Sequence, residues 1–339
     1  MVKNKRWVYA HEFKGEPKKS DFELREEDIP ALKDGEVLFE AVYLSVDPYM
    51  RMYVARIGPP QYTMIGSQIA RVVESRHADY KVGNNVVAYF GWQIFTICDP
   101  DNFTTPFGMK DKPFILPDFG GLPSSLGLGV LGMPGNTAFF GFLEICKPKE
   151  GEVVVVSGAA GAVGNLVGQI AKIKGCHVIG IAGSDEKLAW LKEELKFDGV
   201  INYKTQNVAA ELKKLAPKGV DCYFDNVGGE ISSHVLYQMK TYGRISVCGS
   251  ISSYNNDINS IPKAPVIQMA LVMNQLRMEG FHVWRWMDRW MEGIKQNLQW
   301  IQEGKLVYKE TVTEGFSKMP EAFIGMLKGD NTGKAVVKA

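Results

Sequence analysis

The stretch VVVVSGAAGAVGNLVGQIAKIKG, residues 153–175, leaves the chain around it little freedom. Four valines running into a glycine turn describe a strand buried on both faces, the usual setting of a parallel sheet. Gly158, Gly161 and Gly164 follow at a spacing of three. Between Ala162 and Lys174 the apolar residues Val163, Leu166, Val167, Ile170 and Ala171 then recur at helical spacing. A strand that turns this sharply into a helix belongs to a βαβ unit. The dinucleotide fingerprint G-x-G-x-x-G occupies that position. Here the register is Ala159, Gly161, Gly164, with alanine in place of the first glycine. Gly161 would let the backbone approach a pyrophosphate, and Gly164 would let the helix pack close to the strand. The N–H groups at the helix start would hold the phosphate charge. The alternative is a turn that uses its glycines for packing alone.

The surrounding pattern favours the nucleotide reading. The segments VVVVS, HVIGIAG, GVINY, VDCYFDN and GRISVCG alternate with amphipathic stretches such as DEKLAWLKEELK and NVAAELKKLA. Such alternation means a doubly wound parallel sheet with helices on both faces, expected over residues 126–295. Residues 1–125 instead alternate short β-rich segments with turns, as in GEVLFEAVYLSVD and GNNVVAYFGWQIFTI. That is the pattern of an antiparallel barrel or sandwich. Residues 296–339 become β-rich again near KAVVKA.

Several classes of function are disfavoured. A formal net charge of +1 gives no basic surface for nucleic acid or anionic membrane. The first residues lack the apolar core of a signal peptide, and the richest apolar region, GLPSSLGLGVLGMPGNTAFFGFLEI, is broken by glycine and proline. The five cysteines, Cys98, Cys146, Cys176, Cys222 and Cys248, contain no C-x-x-C pair, and the five histidines form no H-E-x-x-H. No metal is expected, and the thiols read as reduced residues of a cytoplasmic protein. The G-x-S-x-G elbow is absent, and no tyrosine is followed by lysine four residues on.

Ligands of parallel sheets lie beyond the carboxyl ends of the strands. The second strand ends in Gly183-Ser184, where an NAD site would carry an acid for the ribose 2′-hydroxyl. Lys187 follows on the first turn of the next helix and could pair with a 2′-phosphate, which favours NADP. Asp185 leaves this open: it could reach the ribose, or simply sit in a first helical turn. Asn226, at the end of VDCYFDN, could bond the cofactor or start a turn. Tyr254 lies in a polar loop six residues after Cys248, where a phenol could steady a developing oxyanion.

The residues at this point resemble the zinc-free branch of the medium-chain dehydrogenase/reductase superfamily, the prostaglandin reductase and alkenal double-bond reductase family. The blocks LSVDPYMR (44–51), LGMPGNTAFFGF (131–142), SGAAGAVGNLVGQIAK (157–172), AGSDEK (182–187), YFDNVGG (223–229), CGSISSYN (248–255) and GKAVV (333–337) carry the resemblance in order. It implies a GroES-like β-barrel catalytic domain over residues 1–125, completed by 296–339, around a Rossmann NADP-binding domain. It places the pyrophosphate on Ala159, Ala160, Gly161 and Ala162, and the 2′-phosphate beside Lys187 and Tyr203. Asn226 and the segment Cys248, Gly249, Ser250, Ile251, Ser252, Ser253 and Tyr254 would line the nicotinamide half. Phe281, His282, Val283 and Asn331 would complete the site. Tyr254 matches the tyrosine that polarises a substrate carbonyl, and Tyr49 a substrate-side tyrosine. The tryptophan-rich stretch 282–292 falls where the family has a mobile loop. The implied activity is NADPH-dependent reduction of the carbon–carbon double bond of 2-alkenals, enones and 15-oxo-prostaglandins, by a homodimer. Quinone reduction, leukotriene B4 12-hydroxydehydrogenase activity, or NADPH binding without catalysis are the alternatives.

Overall fold

The computed structural model describes residues 3–57, 60–256, 260–261 and 263–339. The chain divides into two units, residues 129–309 and residues 1–128 with 310–339.

The middle unit is built on six parallel strands. They are β1 (Val153–Ser157), β2 (His177–Ala182), β3 (Gly199–Asn202), β4 (Val220–Asp225), β5 (Met239–Val247) and β6 (Arg277–Gly280). Their spatial order is β3-β2-β1-β4-β5-β6. The four-valine run is the reason β1 can sit at the centre: Val154, Val155 and Val156 are each fully buried. Helices α1 (Gly164–Ile173), α2 (Asp185–Ala189), α3 (Val208–Leu215) and α4 (Gly229–Leu236) connect the first five strands. On one face Val155, Ile179, Ile181 and Ile201 pack against Leu212, Val235 and Leu236. On the other, Phe197 fills the space that two glycines leave. A Cβ at Gly168 of α1 would lie 1.9 Å from its ring, and one at Gly180 of β2 would lie 2.9 Å away. The chain crosses from one side of the sheet to the other between β1 and β4, the switch point where open sheets bind ligands.

The other unit holds a seven-stranded and a three-stranded sheet. The larger runs Glu310–Glu314, Lys334–Lys338, Val37–Ser45, Gln68–Ser75, Asn85–Ala88, Phe114–Ile115, with Phe95–Cys98 paired to Val37–Ser45. The smaller joins Phe22–Asp28, Lys3–Tyr9 and Tyr62–Thr63. Pairing is antiparallel throughout except between Glu310–Glu314 and Lys334–Lys338, which run parallel. Tyr9, Phe13, Phe22, Trp92 and Phe323 form its aromatic core. Inside it lies a buried ion pair, Lys334 Nζ to Asp47 Oδ1 at 3.0 Å.

The α/β class and the five strands read from the sequence are observed. The sixth, Arg277–Gly280, was not read: it is short, charged and at the sheet edge. No described helix is long and apolar enough to cross a membrane.

Candidate active site

The strand-to-helix turn shows why each glycine is there. Gly158 has φ of +59°, the left-handed backbone that a tight turn demands and that glycine adopts without strain. The missing first glycine of the fingerprint is thus supplied one residue early, and Ala159 fits because Gly180 opposite has no side chain; a Cβ there would lie 3.1 Å from that of Ala159. At Gly164 a Cβ would lie 2.3 Å from the Gly158 carbonyl oxygen, so only glycine lets α1 close onto the turn. Gly161 differs, because a Cβ there would meet only the Gly158 oxygen, at 3.3 Å. The protein itself hardly requires glycine at that position; a ligand approaching the backbone would. This open cradle fits a dinucleotide pyrophosphate.

A cavity of about 640 Å³ lies at the carboxyl edge of the same unit. Tyr203, Asn207, Gly228, Gly229, Ser250 and Lys263 are among its lining residues. That volume is within the usual range for a small-molecule site. Gly228 and Gly229, both with positive φ, open α4 directly beneath the 250–253 loop: a Cβ on Gly228 would lie 2.5 Å from Ser250 Oγ.

One buried carboxylate organises the turns after β4 and β5. Asp225 Oδ1 accepts from Tyr223 OH at 2.8 Å, Ser157 Oγ at 3.1 Å, and the N–H groups of Val227 and Gly228 at 3.0 and 2.9 Å. Burial, and then the Asp225 charge, hold the Tyr223 phenol well above its usual pKa. The Asp225 carbonyl accepts from the N–H groups of Cys248 and Gly249 at 2.8 and 3.1 Å, tying the next loop to the same point. Burial, reinforced by Asp225, pushes the Cys248 thiol up to about 12, so it stays protonated and inert at neutral pH. Asn226 spends its amide nitrogen on the Ser157 carbonyl at 2.7 Å, and so clamps β4 to β1 across the switch point.

Tyr254 is folded back over its own loop. Its phenol oxygen accepts the Ser250 N–H at 3.1 Å and lies 2.8 Å from where a Gly249 side chain would begin. Glycine before Ser250 is therefore what lets the ring reach that N–H. Ser252 Oγ donates to the Val227 carbonyl at 2.6 Å, and the Ile251 N–H to the Asn226 carbonyl at 3.2 Å, so the loop is braced on the turn after β4.

At the other end, Tyr203 lies across Gly183, where a Cβ would come within 3.0 Å of its hydroxyl oxygen. The Tyr203 N–H donates to the Ala182 carbonyl at 3.1 Å, which joins it to the start of the helix carrying Lys187. The Asp185 carboxylate accepts from Asn202 Nδ2 at 2.7 Å. The half-buried Phe281 ring packs against Phe224 and Trp286, at 6.2 and 5.5 Å. His282 stacks on Trp284. The tryptophan-rich stretch forms short helical turns within Val283–Arg289, kinked at Trp286, whose ring stacks on Phe140 at 5.5 Å. Arg289 pairs with Glu144 and Glu292 at 2.7 Å, a further restraint on the stretch.

Thus the 159–164 turn, Lys187, Tyr203, Asn226, Cys248–Tyr254 and Phe281–Val283 belong to one unit. Tyr49 and Asn331 belong to the other. There Tyr49 opens the helix Tyr49–Ile57 within an aromatic group with Tyr53 and Phe107. Its hydroxyl is sealed from solvent without a partner at hydrogen-bonding geometry, although the Ser67 backbone is near enough to oppose the shift described next. Burial, and then Tyr89 and Asp47, raise its pKa well above the usual value. Asn331 Nδ2 donates to the Gly333 carbonyl at 2.8 Å ahead of the last strand.

The sequence marks the strand end at Asp225 and the two glycines after it but gives them no role, and it does not point to the cavity-lining Ile261 and Lys263. The five cysteines are all free. Among the described residues, His77, Asp99 and Asp101 are the group whose donor atoms could converge on a metal. His77 Nδ1 accepts the Asp79 N–H at 3.1 Å, however, which leaves the ring proton on Nε2, facing Asp101.

Residues 5–105 match the family described as N-terminal domain of oxidoreductase, and residues 162–302 the family described as zinc-binding dehydrogenase. The chain is 50% identical to prostaglandin reductase 1 of Rattus norvegicus over the whole of both chains. It is 39% identical to the NADP(+)-dependent 2-alkenal reductase of Nicotiana tabacum, covering 99% of this chain and 97% of that one. CurA from Vibrio vulnificus, solved in complex with NADPH, superposes with a TM-score of 0.90 at 39% identity over 99% of each chain. With these similarities spanning its full length, the chain belongs to the prostaglandin reductase 1 family of the medium-chain dehydrogenase/reductase superfamily.

Proposed function

We propose that this protein is an NADPH-dependent reductase of the carbon–carbon double bond of α,β-unsaturated aldehydes and ketones. The observation that carries the reading is Tyr254, whose phenol oxygen is fixed by the Ser250 N–H at the carboxyl edge of the cofactor-type sheet. Family membership and the Gly161 cradle support the coenzyme. NADPH, when bound, supplies a hydride, the two electrons of the reduction. The turn Ala159–Ala162 would hold its pyrophosphate, with Lys187 and Tyr203 at the 2′-phosphate end.

The substrate side follows from charge. Reduction at the β-carbon moves the alkene π electrons toward the carbonyl, and negative charge develops on its oxygen. A phenol that donates to that oxygen binds the enolate-like state more tightly than the neutral carbonyl, which lowers the barrier. The Ser250 N–H, donating to the phenol oxygen, polarises the O–H and makes it a stronger donor. Water then protonates the α-carbon. Tyr49, with its sealed hydroxyl among aromatic rings, is assigned to the substrate side.

We also assign a homodimer and a cytoplasmic setting. The edge strand β6 follows the helix Gln268–Met273, where Met269, Val272 and Met273 are each more than 60% exposed. A second copy would cover that apolar face and the unpaired strand edge together. Five free thiols suit a reducing compartment. Light scattering should give twice the chain mass; a monomer would overturn the dimer. The activity is tested by incubating the protein with NADPH and 4-hydroxynonenal, a 15-oxo-prostaglandin or a quinone. The expected product from the alkenal or the prostaglandin is the saturated carbonyl, with the quinone, which would give a hydroquinone, the poorer substrate. An allylic alcohol, or no NADPH consumption with any conjugated carbonyl, would contradict the reading.

A further inference from the structure

We propose that Asn202 sets the coenzyme preference by holding the Asp185 carboxylate away from the ribose; this rests on the NADPH reading above. A carboxylate just past the second strand is what a dinucleotide site uses to bind a ribose 2′-hydroxyl, and the same charge repels a 2′-phosphate. This chain has such an acid. Asp185 is the first residue of α2, three positions past the end of β2. Left to itself it would work against NADPH.

The structure shows what restrains it. Asn202, the last residue of β3, is 3% exposed, and its Nδ2 donates to Asp185 Oδ1 at 2.7 Å. The amide cannot turn over, because Asn202 Oδ1 already accepts the Lys204 N–H at 3.1 Å. The Asn202 N–H donates to Gln206 Oε1 at 2.7 Å, which fixes the backbone on the other side. A rigid, buried donor therefore steers an exposed carboxylate toward the edge strand by a charge-assisted bond. The place an acid would occupy beside the ribose is instead flanked by Gly183, with the Tyr203 ring packed over it. Lys187 lies two residues along the same helix, at the end assigned to the 2′-phosphate. Neither Asn202 nor Asp185 touches the coenzyme in this account; both are positioning residues.

The test is binding, read without turnover: fluorescence titration of the purified protein with NADPH and with NADH, giving a ratio of Kd values. Asn202→Asp keeps the acceptor for Lys204 and replaces the donor by a like charge. It should shrink the NADH-to-NADPH ratio at least tenfold. Asp185→Asn alone should leave the ratio within threefold of wild type, and the double variant N202D/D185N should restore it to that range. An unchanged ratio in Asn202→Asp, or a shift beyond threefold in Asp185→Asn alone, would overturn the proposal. Asp185 is exposed and its substitution does not threaten the fold, so that arm decides even where Asn202→Asp misfolds. Wild-type protein that binds neither coenzyme would instead overturn the functional reading beneath it.

Discussion

The two units hold themselves together by opposite means. The parallel unit is shaped by what is missing: Gly164 makes room for the Gly158 carbonyl, and Gly168 and Gly180 for the Phe197 ring. The sheet unit is shaped by what is buried: Lys334 and Asp47 are 4% exposed, with Lys334 Nζ also donating to the Val46 and Ala335 carbonyls at 2.8 Å. The first arrangement presents backbone to a ligand. The second locks a turn, because Asp47 precedes Tyr49 by two residues and Lys334 comes from the far end of the chain.

Substitutions can break the contrast, beginning with the most severe. Lys334→Met strands the Asp47 carboxylate in an apolar core and should cost about 3–5 kcal/mol. The melting temperature should fall while the Kd for NADPH stays within about threefold; a coenzyme loss equal to the stability loss would mean the units are not separable in this way. Gly164→Ala should do the reverse. Its Cβ would press on the Gly158 oxygen at 2.3 Å, costing about 1–3 kcal/mol and raising the Kd for NADPH at least tenfold. Lys187→Ala comes next: removing a charged partner of the phosphate should weaken NADPH by about tenfold and leave NADH unchanged. Equal losses for both coenzymes would show that Lys187 does not read the phosphate.

The smallest effect is a pH dependence in the sheet unit. Burial holds the Glu310 carboxyl above its usual 4.5, against the pull of Ser125 and Lys334, and one of its oxygens is buried without a partner. A group that binds its proton more tightly when folded stabilises the fold fully below 4.5, and loses that contribution as pH rises through its folded value. Glu310→Gln, which cannot ionise, should flatten the melting temperature above pH 4.5 and raise it at pH 7 by about 1–2 °C. A steeper profile in the variant would contradict the assignment.

The parallel unit was the more legible of the two for a physical reason. Its strands are buried on both faces, so Val153–Val156 or Val220–Phe224 announce themselves locally, and its turns need glycine at fixed places. The sheet unit closes only when Lys334–Lys338 inserts beside Val37–Ser45, some 290 residues away in sequence; no local pattern encodes that. The same limit applied within the site. The family resemblance implies that Lys187 and Tyr203 stand at one end of the coenzyme. It does not imply that Asp185 is held by Asn202, 17 residues on, because a side-chain hydrogen bond leaves no periodic signal. The Phe281 ring packs on Gly141, where a Cβ would lie 2.2 Å away, a contact across 140 residues that no local pattern announces. β6 escaped notice because an edge strand of four residues carries charge where a central one carries valine.

The chemistry assigned to this protein depends on a hydroxyl more than on any packing detail, and one substitution isolates it. Tyr254→Phe keeps the ring and removes the donor. Steady-state reduction of 4-hydroxynonenal by NADPH, with the Kd for NADPH measured alongside, should show kcat lowered at least tenfold, toward the ~10²–10³ typical of a lost oxyanion donor, and coenzyme affinity within twofold. A kcat within twofold of wild type would contradict the account.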